Sequence, residues 1–251
     1  MEITFLGTGT STGVPEIGCT CEVCTSSDPR DWRLRTSVLV ETEGKRILLD
    51  CGPDFRWQMI KNKTSQLDAV LISHEHYDHV GGLDDLRPFC RVKGVDIYAE
   101  DYVAEAIESR IPYAFRVNKY PGVPNLELHR ISEEPFVTAG IPVIPIRVMH
   151  GKLPILGYRI GNMAYVTDVK YLPEEEYDKL KGLDVLIITA LRKTIHPTHE
   201  TLDEALANIE RLHPRDAYLI HMGHSIGLHA EVEKELPSYV HLAYDGLKVT
   251  I

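Results

Sequence analysis

Short runs rich in Ile, Val and Leu recur along the chain: Ile3–Leu6, Ser37–Val40, Arg46–Leu49, Ala69–Ile72, Val95–Tyr98, Val143–Val148, Leu156–Ile160, Ala164–Val166, Val185–Ile188, Tyr218–Ile220 and Leu247–Ile251. Their length and composition predict strands buried on both faces. Between some of them the apolar spacing becomes helical. Asp101–Arg110 has a helix-forming composition and stops before Pro112, because the residue before a proline is pushed out of helical backbone. Pro173–Lys181 opens on Pro and then three Glu, both favoured in a first turn. Thr201–Leu212 sets Leu202, Ala205, Leu206 and Ile209 at helical spacing, with Thr198 as the candidate cap. No linker, repeat or low-complexity tract interrupts this order, which predicts one α/β domain over residues 1–251. The least regular stretch, Pro112–Pro124, carries Tyr113, Phe115, Arg116, Lys119, Tyr120, Pro121 and Gly122. It reads equally as a surface loop or as a loop over a binding site.

One run changes the picture. Leu71-Ile72-Ser73-His74-Glu75-His76-Tyr77-Asp78-His79-Val80-Gly81-Gly82 follows directly on a predicted strand. In extended chain, positions two apart point the same way, so His74 and His76 converge on one point. The chain then turns, with Gly81-Gly82 to permit a tight turn, and Asp78 and His79 face a second point nearby. Three imidazoles and a carboxylate within six residues form a donor set suited to Zn, Mn, Fe or Ni.

His-x-His-x-Asp-His after a strand resembles the signature of the metallo-β-lactamase superfamily. The resemblance implies a four-layer αβ/βα sandwich, two mixed sheets flanked by helices, with a two-metal site along one edge. It extends over most of the chain. Leu6-Gly7-Thr8-Gly9 matches the Gly-rich turn after the first strand, and Leu49-Asp50-Cys51-Gly52 the Asp that buttresses the metal loop. Val148-Met149-His150 matches the lone middle His, Tyr165-Val166-Thr167-Asp168 the bridging Asp, and Leu219-Ile220-His221 the final His. His150, Asp168 and His221 each follow an apolar strand, at the sheet rim where α/β sites form. Asp50 reads as a support that holds a ligand His or the loop backbone by hydrogen bonds.

Cysteine usage adds a second cluster. Cys19-Thr20-Cys21-Glu22-Val23-Cys24 is C-x-C-x2-C, and three thiolates need a fourth ligand for tetrahedral zinc. His224, three residues after His221, is the candidate. Cys51 and Cys90 read as ordinary buried thiols. Gly13-Val14-Pro15, Gly18 to Cys24, His221 with His224, and Tyr244-Asp245-Gly246 narrow the resemblance to the PhnP family, phosphodiesterases of the carbon–phosphorus lyase pathway. It implies a structural zinc on the three Cys and the downstream His, and a catalytic His within Pro197-Thr198-His199. The region from Asp101 to Glu134 does not line up.

Composition narrows the classes. The 251 residues carry 27 Lys+Arg against 37 Asp+Glu, a net charge of −10. That argues against non-specific coating of nucleic acid, while leaving room for one local basic groove. No window reaches the ~18–20 apolar residues of a membrane span. The start, MEITFLGTGTSTG, lacks a basic and apolar signal pattern, so the expected address is the cytoplasm.

The reading that follows is a binuclear metal-dependent phosphodiesterase acting on a small diester, cyclic or linear. His74, His76 and His150 would hold one ion of Zn2+ or Mn2+. Asp78, His79 and His221 would hold the other, with Asp168 bridging. Asp78 would also orient the attacking water, and His199, or its neighbour His196, would protonate the leaving group. A homodimer stays open. Rival classes are a tRNA 3′-end endonuclease of the ribonuclease Z type, a lactonase or thioesterase of the same superfamily, and a metal-binding protein without activity.

Overall fold

The computed structural model describes every residue except 92, 119 and 121. It contains two seven-stranded sheets. The first holds β1 (Glu2–Gly7), β2 (Ser37–Thr42), β3 (Lys45–Leu49), β4 (Ala69–Leu71), β5 (Val95–Glu100) and β6 (Leu126–Ile131). The second is built from β7 (Phe136–Thr138), β8 (Ile141–His150), β9 (Leu153–Ile160), β10 (Met163–Val166), β11 (Val185–Thr189), β12 (Asp216–Ile220) and β13 (Val240–Leu242). The chain then returns, and β14 (Lys248–Thr250) pairs antiparallel with β1. In space the orders are β14-β1-β2-β3-β4-β5-β6 and β13-β12-β11-β10-β9-β8-β7.

Period-two alternation distributes the core among layers. Ile3, Phe5, Val38, Val40, Ile47, Leu49, Tyr165, Val185 and Ile187 fill the space between the sheets. Their neighbours Leu6, Leu39 and Leu48 point the other way, under Phe55 and Met59 of helix α1 (Phe55–Lys61) and, across the same cluster, Val103 and Ile107 of α3 (Asp101–Arg110). On the outer face of the second sheet, Ala164, Val166, Leu186 and Ile188 pack with Leu202, Ala205 and Ile209 of α4 (Leu202–Leu212). The result is the αβ/βα sandwich of two mixed sheets. Two single-turn helices complete it: α2 (Tyr77–Val80) and α5 (His229–Val232).

Every predicted strand is present, and three were not foreseen: β6, β7 and β13. β6 and β13 are edge strands and β7 is another, where one side meets no partner and polar residues break the apolar run. Two helix readings need correction. Thr201, not Thr198, caps α4: its hydroxyl accepts from Glu204 N and the Glu204 carboxylate accepts from Thr201 N, a full capping box. Pro173–Lys181 is not α-helical; Glu174–Leu180 winds as 3-10 turns, held by the buried Glu176 carboxylate, which accepts from Arg147 N at 3.0 Å.

The loop at 112–124 is tied down in part. Tyr113 donates to Asp84 Oδ1 at 2.6 Å, and Arg87 donates to Gly122 O at 2.8 Å. Lys119 and Pro121, part of that expectation, lie outside the described residues.

Candidate metal centre

β3 and β4 run parallel, and so do β10, β11 and β12. Their C-terminal ends therefore open on one edge, and chemistry-bearing residues follow each: Asp50 after β3, Ser73-His74 after β4, Asp168 after β10, His221 after β12. His150 is the last residue of β8. The two sheets are stitched together at this edge. Tyr158 donates to Ile72 O at 2.6 Å, Leu156 N to Ser73 O at 3.1 Å, and Tyr165 to Asp50 Oδ2 at 2.8 Å. Asp50, Asp168 and His221 have φ of 59°, 54° and 56°. Left-handed backbone is costly for non-glycine residues and clusters at functional sites.

Gly81 and Gly82 lie in the expected turn, but neither has a positive φ. Gly81 is right-handed, with φ −63°. Gly82 is needed for contact: a Cβ there would lie 2.1 Å from Gly52 O, and one on Gly52 would lie 2.0 Å from Asp78 O. The two glycines thus let the loop after β3 press against the metal-motif loop.

Three groups of donors meet at the edge. His74, His76 and His150 bring ligand atoms within 4.8 Å of one another; so do Asp78, His79 and His221; and Asp168 joins His74 and His79 on the same terms. His74 Nε2 and His76 Nδ1 are 3.0 Å apart. His150 Nδ1 faces the carbonyls of Asp168 and Thr198 at 3.0 and 2.9 Å. It therefore carries the proton, and Nε2 keeps a lone pair. His79 Nδ1 donates to Asp50 Oδ2 at 2.7 Å in the same way. Asp50 also accepts from Ser73 N and Ser73 Oγ, both at 2.8 Å, so this buried carboxylate orients the loop and one imidazole together. Asp168 is held by Thr189, whose hydroxyl accepts from Asp168 N at 2.6 Å, and by Thr167, which donates to Oδ2 at 2.6 Å.

The donor set suits cations. Asp168 Oδ2 and Asp78 Oδ2 each lie 3.2 Å from His79 Nε2, and Asp168 Oδ1 lies 3.2 Å from His221 Nε2. Burial opposes ionisation of both aspartates, yet the neighbouring imidazoles hold them well below the usual carboxylate range. Burial likewise opposes charge on His79, but Asp78, Asp50 and Asp168 raise it well above an ordinary imidazole. Burial lowers His74 and His76, leaving them neutral and ready to ligate. His79 Nε2, which faces both aspartates, is buried without a hydrogen-bond partner among the described residues. Unpartnered buried nitrogens are costly, and converging carboxylates repel. Divalent cations relieve both, so these residues fit them.

His199 belongs to the same cluster and His196 stands behind it. His199 Nδ1 is buried, unpartnered and 3.6 Å from Asp168 Oδ1, and its ring centroid is 4.6 Å from His150 and 4.9 Å from His221. His196 contacts this ring at 5.0 Å between centroids. Burial first, then His221, pushes the His199 imidazole down to about 3.

The cysteine cluster also assembles. Cys19, Cys21 and Cys24 Sγ lie 3.2, 3.3 and 3.4 Å from His224 Nδ1. The Cys24 backbone N–H leads the effects that lower the Cys21 thiol to about 6, while burial raises Cys24 to about 11. His224 Nε2 lies 3.5 Å from Glu16 Oε2. Three sulfurs and one imidazole around a point fit tetrahedral zinc. Cys51 is buried as expected; Cys90 is only half-buried and donates to Asn125 O at 3.3 Å.

Residues 45–222 match the family model of the β-lactamase superfamily domain. Over 99% of the chain, the fold superposes with TM-score 0.93 and 41% identity on 96% of a solved protein described as a new diphosphatase from the PhnP family. The chain belongs to the β-lactamase superfamily, and within it to the PhnP family. Among curated relatives, an octanoyltransferase of Porphyromonas gingivalis is 48% identical over 254 residues, covering 100% of this chain and 52% of that protein. A ribonuclease Z of Thermosynechococcus vestitus is 29% identical over 174 residues, 64% of this chain and 36% of that protein. The chain thus spans about half or less of the length of these curated relatives.

For a PhnP-family chain, the motif residues suffice to locate the edge and Asp50 is legible as a support, but the residues that hold Asp50 and Asp168 in turn are not. Ser73 was adjacent to the motif and Thr167 adjacent to Asp168, so each carried a local signal. Tyr165 reaches Asp50 across a separation of 115 residues, and Thr189 reaches Asp168 across 21. Nothing local in the sequence marks either.

Proposed function

We propose that the protein is a binuclear metal-dependent hydrolase that cleaves a P–O bond in a small phosphoric diester or diphosphate. The observation that carries this reading is that Asp168 reaches both donor triads: its carboxylate lies within 3.2 Å of His79 and His221, and its ligand atom lies within 4.8 Å of those of His74 and of His150. His74, His76 and His150 would hold one ion; Asp78, His79 and His221 the other; Asp168 would serve both. Two bound divalent cations supply Lewis-acid activation of water and of the phosphoryl oxygens. Asp50 keeps His79 aligned through its Nδ1–H. Asp78 accepts a hydrogen bond from the attacking water and orients it. His199 donates a proton to the departing oxygen, and its place beside Asp168 favours it over His196 for this role. An anionic substrate beside the ring raises its proton affinity. Cys19, Cys21, Cys24 and His224 would hold a zinc without chemistry, because four protein ligands leave no open position. A cytoplasmic setting would keep these thiols reduced.

Phosphoryl chemistry is supported by the PhnP-family diphosphatase, which matches 96% of its length at 41% identity. The octanoyltransferase name belongs to a protein of which this chain spans 52%. A substrate panel tests the reading: cyclic and linear phosphodiesters, a diphosphate, a lactone, an octanoyl thioester and a precursor tRNA, each with added Mn2+ or Zn2+. Turnover is expected on a diester or the diphosphate and is lost on chelation. Turnover confined to the lactone, the thioester or the tRNA would overturn it.

Two substitutions refine the roles. His199→Ala should lower turnover about 10²–10⁴-fold on an alkyl diester and far less on bis(p-nitrophenyl) phosphate, whose leaving group needs no proton. Equal losses on both substrates would assign His199 to binding instead. Asp50→Asn should weaken metal affinity about 10–100-fold by releasing His79, as read by competition with a chromogenic chelator. Unchanged affinity would remove Asp50 from the account.

A further inference from the structure

Both tryptophans of the chain, Trp32 and Trp57, line one cavity of ≈ 460 Å³. The cavity shares no residue with the metal cluster. Its wall is Val14, Pro29, Leu34 and the two indoles, and its polar groups include Arg33, Lys61 and Asp245. Each indole is 56% exposed, and neither makes a ring contact with another aromatic among the described residues. Large aromatic surface left open in a concavity is unusual in a soluble protein and marks binding.

The polar groups divide into used and unused. Trp32 Nε1 donates to Ser26 O at 3.2 Å, which fixes that ring. Trp57 Nε1 and Lys61 Nζ make no hydrogen bond or ion pair among the described residues. Trp57 and Lys61 are one helical turn apart on α1, so they present to the same side. Asp245 is turned to the floor, where Oδ1 accepts from Thr8 Oγ1 at 2.9 Å and Oδ2 from Leu34 N at 2.7 Å. Buried Arg33 bonds to neutral acceptors, Thr8 Oγ1 at 3.0 Å and Ala243 O at 2.6 Å, and its third contact is His229 Nδ1 at 3.3 Å. No carboxylate hydrogen-bonds to this guanidinium among the described residues, but the charges of Asp245, Asp31 and Asp28 act on it, so the free cationic head at the cavity is that of Lys61.

We propose that this cavity is a second ligand site, apart from the hydrolytic centre, for a planar heteroaromatic group bearing a phosphate, such as a nucleoside monophosphate. The ring lies against the Trp32 and Trp57 faces and the anion meets Lys61. Aromatic stacking of a base is sequence-tolerant and strong enough to hold such a ring. The volume falls within the ~300–1,000 Å³ of small-ligand pockets.

Because the only two tryptophans line the site, intrinsic fluorescence of the metal-loaded protein reports its occupancy directly. AMP, adenosine and ribose 5-phosphate are titrated against the native protein and against Lys61→Ala, Trp57→Leu and Trp32→Phe. Saturable quenching by AMP is expected, weaker for adenosine, and absent for ribose 5-phosphate. Lys61→Ala should weaken AMP about tenfold and leave adenosine unchanged, and Trp57→Leu should weaken both about tenfold. Turnover on a small diester should be unchanged in all three variants, which separates this site from the hydrolytic centre. Absence of saturation by AMP, equal affinity for AMP and adenosine, or quenching indifferent to Lys61→Ala overturns the assignment. So does a sedimentation result in which the Trp face pairs two copies of the chain and AMP has no effect on them.

Discussion

Asp168→Asn should cost about 10²–10³-fold or more in metal-dependent turnover while the protein stays folded. The carboxylate lies 3.2 Å from both His79 and His221 and is buried, and two threonine hydroxyls hold it in a left-handed backbone position. An amide keeps the shape and the Thr189 contact to its own backbone, but it removes the negative charge that would offset two cations. Bound metal, measured by elemental analysis, should fall with activity. His76→Ala should do the same from the other triad, because His76 and His150 are paired at 5.2 Å between ring centroids. Circular dichroism guards the comparison: a folded variant that keeps full metal and full turnover would refute the binuclear assignment.

The second large effect is on stability. Cys19 and His224 are 205 positions apart in sequence yet 3.2 Å apart in space. A metal tie across such a loop removes unfolded-chain entropy on the order of 5 kcal/mol by cross-link reasoning. For a chain of this size that corresponds to about 10–20 °C in melting temperature. Cys21→Ser is therefore expected to release one zinc per chain and lower the melting temperature by about that amount. Activity should fall only as far as His221, three residues from His224, becomes looser. If the variant keeps its full zinc count, or if the native thiols react freely without metal release, the site is not a zinc site.

The candidate metal edge is largely legible in the sequence because its donor residues sit next to strong strands. Ser73, Met149, Thr167 and Ile220 each precede a donor residue, and a strand that ends at a sheet rim delivers the side chains that follow to the same edge. The Cys-x-Cys-x2-Cys spacing was equally local. Supports that depend on long-range packing were not legible. Tyr165 bonds Asp50 only because the two sheets face each other, and Tyr158 reaches Ile72 O only for the same reason. The cap of α4 is readable from Thr201 and Glu204; Thr198, the expected cap, instead turns its carbonyl to within 2.9 Å of His150 Nδ1.

What the sequence by itself determined, then, is the alternation of strands, the types of the candidate donor residues and the order in which they occur, since these follow from period-two burial and from residues adjacent to strand ends. Tertiary structure alone decided how they combine. It brought Asp168 between His79 and His221, set His199 rather than His196 against that carboxylate, and pressed Gly52 against Gly82. It also put the two tryptophans on one cavity, although they stand 25 positions apart in the chain with two strands between them. The physical reason is the same each time: local sequence specifies backbone period and donor chemistry, while distances between side chains from different strands are fixed only when both sheets close on their shared core.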